Sequence, residues 1–201
     1  VRRPVSVPSG IAVLVDRDGT LNYDSGYVTT PEQLVLFPGV PEAIARLNQL
    51  GAFVILITNQ SAIGRGFMTV ETLQTIHEAL AALLRPWGAR IDGIFFCPHH
   101  PQDGCNCRKP NVGLIQQAAE HFSLDLKRCF LVGDKRSDLE AAQKSGVPGV
   151  LVMTSSYSED ALKARDNGQL SIAHVSDSFV ESVSWIEEEL TRGLLGQPFS
   201  E

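Results

Sequence analysis

Four short polar segments interrupt an otherwise apolar rhythm and hold most of the residues able to do chemistry. They are Asp16-Arg17-Asp18-Gly19-Thr20, Thr58-Asn59-Gln60-Ser61, Cys97-Pro98-His99 and Gly133-Asp134-Lys135-Arg136-Ser137-Asp138. Asp16 and Asp18, followed by Gly19, place two carboxylates in one tight loop whose backbone amides can also face a phosphate. If Asp134 comes to the same place, with Asp138 close behind it, three or four acids converge. Unit charges about 4 Å apart interact at ~4 kcal/mol for an effective dielectric near 20, so such a cluster favours a bound cation. Hard oxygen ligands with room for water select Mg2+ over zinc. A cation beside a carboxylate nucleophile, with Thr58 and Lys109 near, suits phosphoryl transfer. Each motif alone also describes an ordinary turn or helix cap. Their joint placement at strand ends argues for a site.

A second constellation is Cys97-Pro98-His99, then five residues, then Cys105-Asn106-Cys107. Three thiolates and an imidazole complete a tetrahedral zinc set and leave no position for a catalytic water, so the expected zinc is structural. Cys107 runs directly into Arg108-Lys109-Pro110, so this clamp would fix Arg108 and Lys109 over the phosphate pocket. His100 competes with His99, but the Cys-x-His…Cys-x-Cys symmetry favours His99. A disulfide reading is weaker because no clean export signal stands at the start. Val1-Arg2-Arg3-Pro4 is basic, but Pro4 and Pro8 break the stretch that follows, which then meets Asp16 and Asp18. Cys129 lies in an apolar run and reads as a small core residue. His77, His121 and His174 (the last near a late strand) read as surface or satisfied polar groups, and Trp185 as packing.

Short β-branched runs alternating with amphipathic stretches must position these residues. Strands are expected at 11–16, 53–58, 94–97, 129–134 and 150–153, each nearly continuous in apolar residues, as strands covered on both faces are. Helices are expected at 40–50, closed by Gly51; at 69–84, capped by Thr69; at 112–122; at 137–144, with Ser137 and Glu140 as a capping box; and at 177–190. Strand alternating with helix gives an α/β fold, a doubly wound parallel sheet of Rossmann-like type. Ligands bind outside the carboxyl ends of such strands, so chemistry belongs just after Val15, Ile57, Phe96 and Val132. No internal repeat or linker divides the chain, which suggests one domain over 1–193 with a frayed tail at 194–201.

The chain has 201 residues, 43% hydrophobic and 20% charged, which excludes disorder as an overall description. Seventeen Lys+Arg against 23 Asp+Glu leave a net charge of −6 and no long basic block. That balance argues against a duplex nucleic-acid binder or an acidic-membrane binder, but allows a small anionic substrate held by local cations. No apolar run approaches the ~18–20 residues that span a bilayer. A cytoplasmic monomer with a small-molecule substrate is the expectation.

The segments VDRDGTLN, LITNQ, CRKP and VGDKRSD, in that order from about Ile11 to Met153, resemble the haloacid-dehalogenase (HAD) superfamily of aspartate-nucleophile phosphatases. The resemblance implies that Asp16 attacks phosphorus to form an aspartyl-phosphate. Asp18 would protonate the leaving alcohol and then activate water. Thr58 and Lys109 would hold the phosphoryl group, and Asp134 would bind Mg2+ with Asp16 and the backbone carbonyl of Asp18. Asp18 also argues against dehalogenase chemistry, because that subgroup lacks this acid.

The stretches at 22–38 and 98–108 are too short for a cap domain. A capless core is therefore expected, roofed by loops at Asp24–Tyr27 and Ser61–Gly66 and by the zinc loop. Within the family this plan resembles two branches, one acting on a heptose 1,7-bisphosphate and one on histidinol phosphate. Asp24-Ser25-Gly26-Tyr27-Val28, Thr58-Asn59-Gln60-Ser61 with Arg65, and Gly133-Asp134-Lys135 resemble the heptose branch; the five-residue spacer of the zinc loop resembles the other. Asp24, Ser25, Gly26, Tyr27, Asn59, Gln60, Ser61, Arg65, Arg108 and Lys135 are thus expected to contact substrate. Arg65, Arg108, Lys109 and Lys135 exceed what one phosphate needs beside Mg2+, and guanidinium forks suit a second one. Removal of the 7-phosphate from heptose 1,7-bisphosphate is the implied activity. The alternatives are histidinol-phosphate hydrolysis and a zinc-stabilised phospholigand-binding module without turnover.

Overall fold

The computed structural model describes residues 10–194. Val1–Pro4 and residues 195–201 of the expected tail lie outside the described residues, while Leu194 closes the last helix. The elements follow in the order β1 (Ala12–Val15), α1 (Val40–Leu50), β2 (Phe53–Asn59), α2 (Val70–Leu84), β3 (Gly93–Cys97), α3 (Gly113–Phe122), β4 (Phe130–Gly133), α4 (Arg136–Ser145), β5 (Gly149–Val152), α5 (Ser158–Asp166), β6 (His174–Ser176) and α6 (Phe179–Leu194). All strand pairs are parallel, in the order β3-β2-β1-β4-β5-β6. Chain order reverses between β1 and β4. That is the switch point at which such a sheet opens a crevice.

Side-chain alternation splits the core in two. Val13, Val15, Val54, Leu56, Phe130 and Val132 pack with α1, α2 and α6 on one face; Leu14, Ile55, Ile57 and Leu131 pack with α3 and α4 on the other. β1, β4 and β5 are buried throughout, as expected for strands covered on both sides. β3 departs from that expectation. It is an edge strand, and Ile94 faces solvent. Cys129 is a core residue whose Sγ accepts from Ala12 N (3.3 Å) and donates to Asp125 O (3.2 Å). Trp185 packs edge-on to Phe130 and stacks on His174.

α1 matches the expected bounds, and Thr69 caps α2 by accepting from Thr72 N. α4 differs at its start. It begins at Arg136, and the reciprocal bonds run between Lys135 and Asp138, with Lys135 N donating to Asp138 (3.0 Å) and Asp138 N to Lys135 O (3.0 Å). The expected partners Ser137 and Glu140 do not form the box; Glu140 instead pairs with Arg136. α5, whose buried stripe is only Ser158, Ala161 and Ala164, had no assignment, and the three-residue β6 is the late strand expected near His174 without bounds. Among the described residues, the links β1–α1 and β3–α3 carry no inserted domain, so the core is capless.

Candidate active site

Val15 and Val132 are register partners, and Asp16 N donates to Val132 O (3.0 Å), so Asp16 and Asp134 emerge side by side from neighbouring strands. Glycine allows this crowding. A Cβ on Gly19 would lie 2.3 Å from Asp134 Oδ2, and one on Gly133 would lie 2.4 Å from Asp138 Cβ. Gly19 also has a φ of +90°, outside the range comfortable for other residues.

Lys109, buried, spans the acids: its Nζ donates to Asp16 Oδ1 (2.8 Å) and Ile57 O (2.5 Å) and lies 2.6 Å from Asp138 Oδ1. Burial alone would lower Lys109, but Asp138 and Asp16 hold its ammonium above the ordinary range. Burial, reinforced by Asp16, pushes Asp134 up to about 7, and burial also raises Asp138. Oxygens of Asp16, Asp134 and Asp138 lie within 4.8 Å of one another. Hard donors in a buried, charge-frustrated group fit a magnesium ion, whose charge would relieve the raised Asp134.

Asp18 faces the cavity from a fixed cradle. Arg17 donates to it through Nε (3.1 Å) and Nη2 (2.9 Å), Asn22 Nδ2 at 3.0 Å and Gln60 Nε2 at 2.8 Å. Arg17 is fully buried, with Nη1 against His77 Nε2 at 3.5 Å. Burial and then the Arg17 charge push His77 down to about 4, which keeps it neutral and able to accept. His77 is thus the satisfied polar group expected, with a partner the sequence did not name.

Asp16, Asp18, Gln60, Lys109 and Asp138 line a cavity of about 460 Å³ together with Asp24, Gly26, Tyr27, Thr58, Asn59, Ser61, Arg108 and Lys135. Lys135 Nζ binds Asp24 Oδ2 (3.0 Å) and Asp18 O (3.2 Å). Arg108 offers a buried Nη1 with no hydrogen-bond partner, the condition in which a guanidinium takes an oxyanion. Asn59, expected to touch substrate, has its amide engaged by the backbone of Lys109: Nδ2 donates to Lys109 O (3.1 Å) and Oδ1 accepts from Lys109 N (3.0 Å). Gln60 is likewise committed, donating to Asp18 and to Thr58 Oγ1 (2.9 Å). Ser25 and Arg65 are not on the cavity wall; the Arg65 guanidinium lies 6.0 Å from the Tyr27 ring centroid.

The cysteine cluster forms as the spacing suggested. Cys97 and Cys107 Sγ each lie 3.5 Å from Cys105 Sγ, and His99 Nδ1 is 3.1 Å from Cys107 and 3.6 Å from Cys97. Sulfurs this far apart are not disulfide-bonded, since that bond is ~2.05 Å. Four donors at these separations can hold one metal ion. His100 is not a competitor: its ring accepts from Gln102 N and its backbone donates to Asp103.

Several groups at the site were not singled out from the sequence. Arg17 and Asn22 orient Asp18. Ser155 Oγ donates to Asp134 Oδ2 at 2.6 Å, and Thr154 Oγ1 bonds Gly19 O. Ser137, Val28 and Tyr157 also line the cavity. Thr154, Ser155 and Tyr157 follow β5, so the strand-end rule, applied to a fifth strand, points to them.

A HAD-hydrolase-like family profile matches residues 106–182. The chain is 44% identical over 143 residues to the D-glycero-beta-D-manno-heptose-1,7-bisphosphate 7-phosphatase of Pseudomonas putida, covering 71% of this chain and 82% of that protein. It is 35% identical over 186 residues to the D-glycero-D-manno-heptose-1,7-bisphosphate 7-phosphatase of Thermosynechococcus vestitus, covering 87% and 94%. The crystal structure of D,D-heptose 1,7-bisphosphate phosphatase from B. bronchiseptica, complexed with magnesium and phosphate, superposes with a TM-score of 0.81 at 36% identity, over 89% of this chain and 99% of that one.

Proposed function

The chain belongs to the HAD-like hydrolases, in their heptose-bisphosphate phosphatase branch, and from that membership we propose that it removes the 7-phosphate of D-glycero-D-manno-heptose 1,7-bisphosphate with magnesium. The observation that carries this reading is the meeting of Asp16 and Asp134 at adjacent strand ends, with Lys109 bound between Asp16 and Asp138.

Asp16 is the nucleophile: a carboxylate oxygen bonds to phosphorus as the phosphorus–oxygen ester bond breaks. Asp18 gives its proton to the departing alkoxide. In the second half Asp18 takes a proton from water, the hydroxide attacks the aspartyl-phosphate, and phosphate leaves with the Asp16 carboxylate restored. The Arg17, Asn22 and Gln60 bonds keep Asp18 aimed at the cavity through both halves. Lys109 and Thr58 hold the phosphoryl oxygens, and Arg108 and Lys135 supply charge for the second phosphate. Asp16, Asp134 and the Asp18 carbonyl would hold Mg2+, which supplies positive charge for the phosphoryl oxygens. Asn59 and Gln60, both on the cavity wall, place Lys109 and Asp18. The Cys97, His99, Cys105 and Cys107 set would hold zinc, fixing the loop that carries Arg108.

A substrate panel tests the reading. The better of the two anomers of heptose 1,7-bisphosphate should be hydrolysed with kcat/KM at least about 100-fold above histidinol phosphate, since a site built for two phosphates leaves cations unpaired with one. The reverse preference would overturn it. Binding of phosphosugars by the magnesium-loaded protein without phosphate release would instead support the binding-module alternative.

Ser155 gives a second test. Its hydroxyl bonds an Asp134 oxygen, so Ser155→Ala should weaken magnesium activation about tenfold, with the effect largely recovered at saturating metal. Unchanged half-saturation by magnesium would remove Ser155 from the metal site.

A further inference from the structure

The charged groups of the cavity account for phosphates, but charges do not grip the C–H faces of a sugar. Among the described residues only two aromatic rings line the cavity, Tyr27 and Tyr157. Tyr27 sits in the 24–28 loop with Phe67 edge-on at 5.3 Å. Tyr157 comes from the β5–α5 connection, the segment whose Thr154 bonds Gly19 O and whose Ser155 bonds Asp134.

That segment is firmly tied. Met153 N donates to Ser176 O (2.9 Å), Ser155 Oγ donates to Asp134 and accepts from Tyr157 N (3.2 Å), and Ser158 Oγ donates to Val152 O (2.8 Å). Tyr157 is therefore held in place by its backbone, while 58% of the residue stays exposed. Its ring centroid lies 5.3 Å from Lys135 Nζ, the ammonium that also binds Asp24 and Asp18 O. Cation and ring together keep Lys135 turned along the cavity wall. An exposed aromatic ring fixed at the mouth of a polar pocket contributes little to the core and offers an apolar face to a ligand.

We propose that Tyr157 is a specificity-determining residue whose ring packs against the carbon skeleton of the substrate, beyond the phosphate held at Asp16 and Lys109. This rests on the phosphatase reading above and adds to it a contact from a fourth loop.

The test compares Tyr157→Ala and Tyr157→Phe, in the full magnesium-loaded chain, on two substrates. One is the phosphate monoester that the unaltered protein hydrolyses best in the panel; the other is acetyl phosphate, which has almost no carbon skeleton to pack. Tyr157→Ala should lower the ratio of the two kcat/KM values about fivefold, mainly through KM for the larger substrate. Tyr157→Phe should keep at least about half of the ratio, because the ring face is retained. An unchanged ratio in Tyr157→Ala, or equal losses on both substrates, would overturn the proposal. If histidinol phosphate proves the best substrate, the heptose reading fails, while the ratio still reports on Tyr157.

Discussion

Asp16→Asn is expected to lower turnover at least about 10⁴-fold and leave the fold intact. The amide has nearly the same shape, and its oxygen can still accept from Lys109 Nζ, so the contact at 2.8 Å survives. What disappears is the anionic oxygen that bonds to phosphorus, and no neighbour replaces it. Asp138 is held by Lys109 and by Lys135 N, and Asp134 lies fully buried behind the Gly19 turn. Phosphate release under single-turnover conditions, with a thermal melt as the folding control, is the measurement. Residual activity within about 100-fold of the unaltered protein would refute the nucleophile assignment.

Loss of the four-donor cluster should show a different kinetic signature. Cys107→Ser should lower the zinc content found by elemental analysis and raise KM at least about tenfold with a smaller fall in kcat. The asymmetry follows from how the two basic residues after Cys107 are held. Lys109 has other anchors: both its backbone groups pair with Asn59, and its ammonium sits between Asp16 and Asp138. Arg108 has an unpartnered Nη1, so its position depends more on the loop. An unchanged KM in protein verified as zinc-free would contradict this division of labour.

The strands and long helices were legible because apolar runs and three- or four-residue periodicity are local properties. The switch point followed from strand alternation, and with it the meeting of Asp16 and Asp134. α5 escaped because two alanines and a serine make its buried stripe, too weak a signal among charged neighbours. β6 was expected only as a late strand near His174, without bounds, because three residues carry no periodicity. At the site, residue types and strand-end positions were readable, but hydrogen-bond allegiance was not. Nothing local tells that Asn59 serves the Lys109 backbone, that Gln60 serves Asp18, or that Arg17 turns inward to a carboxylate beside it. The first two bonds join segments distant in the chain, and the inward turn of Arg17 brings it against the equally distant His77. Arg65 shows the same limit: its position in the 61–66 loop placed it near the cavity, but not on its wall.

The two tight approaches at Gly19 and Gly133 have a consequence for how this chain can vary. Neither residue offers a side-chain atom to catalysis, yet the smallest substituent at either collides with an acid of the centre. In a library of all single substitutions, these two positions should therefore be as intolerant as Asp16 itself. Sequence drift around the magnesium cradle is limited by empty space as strictly as by chemistry.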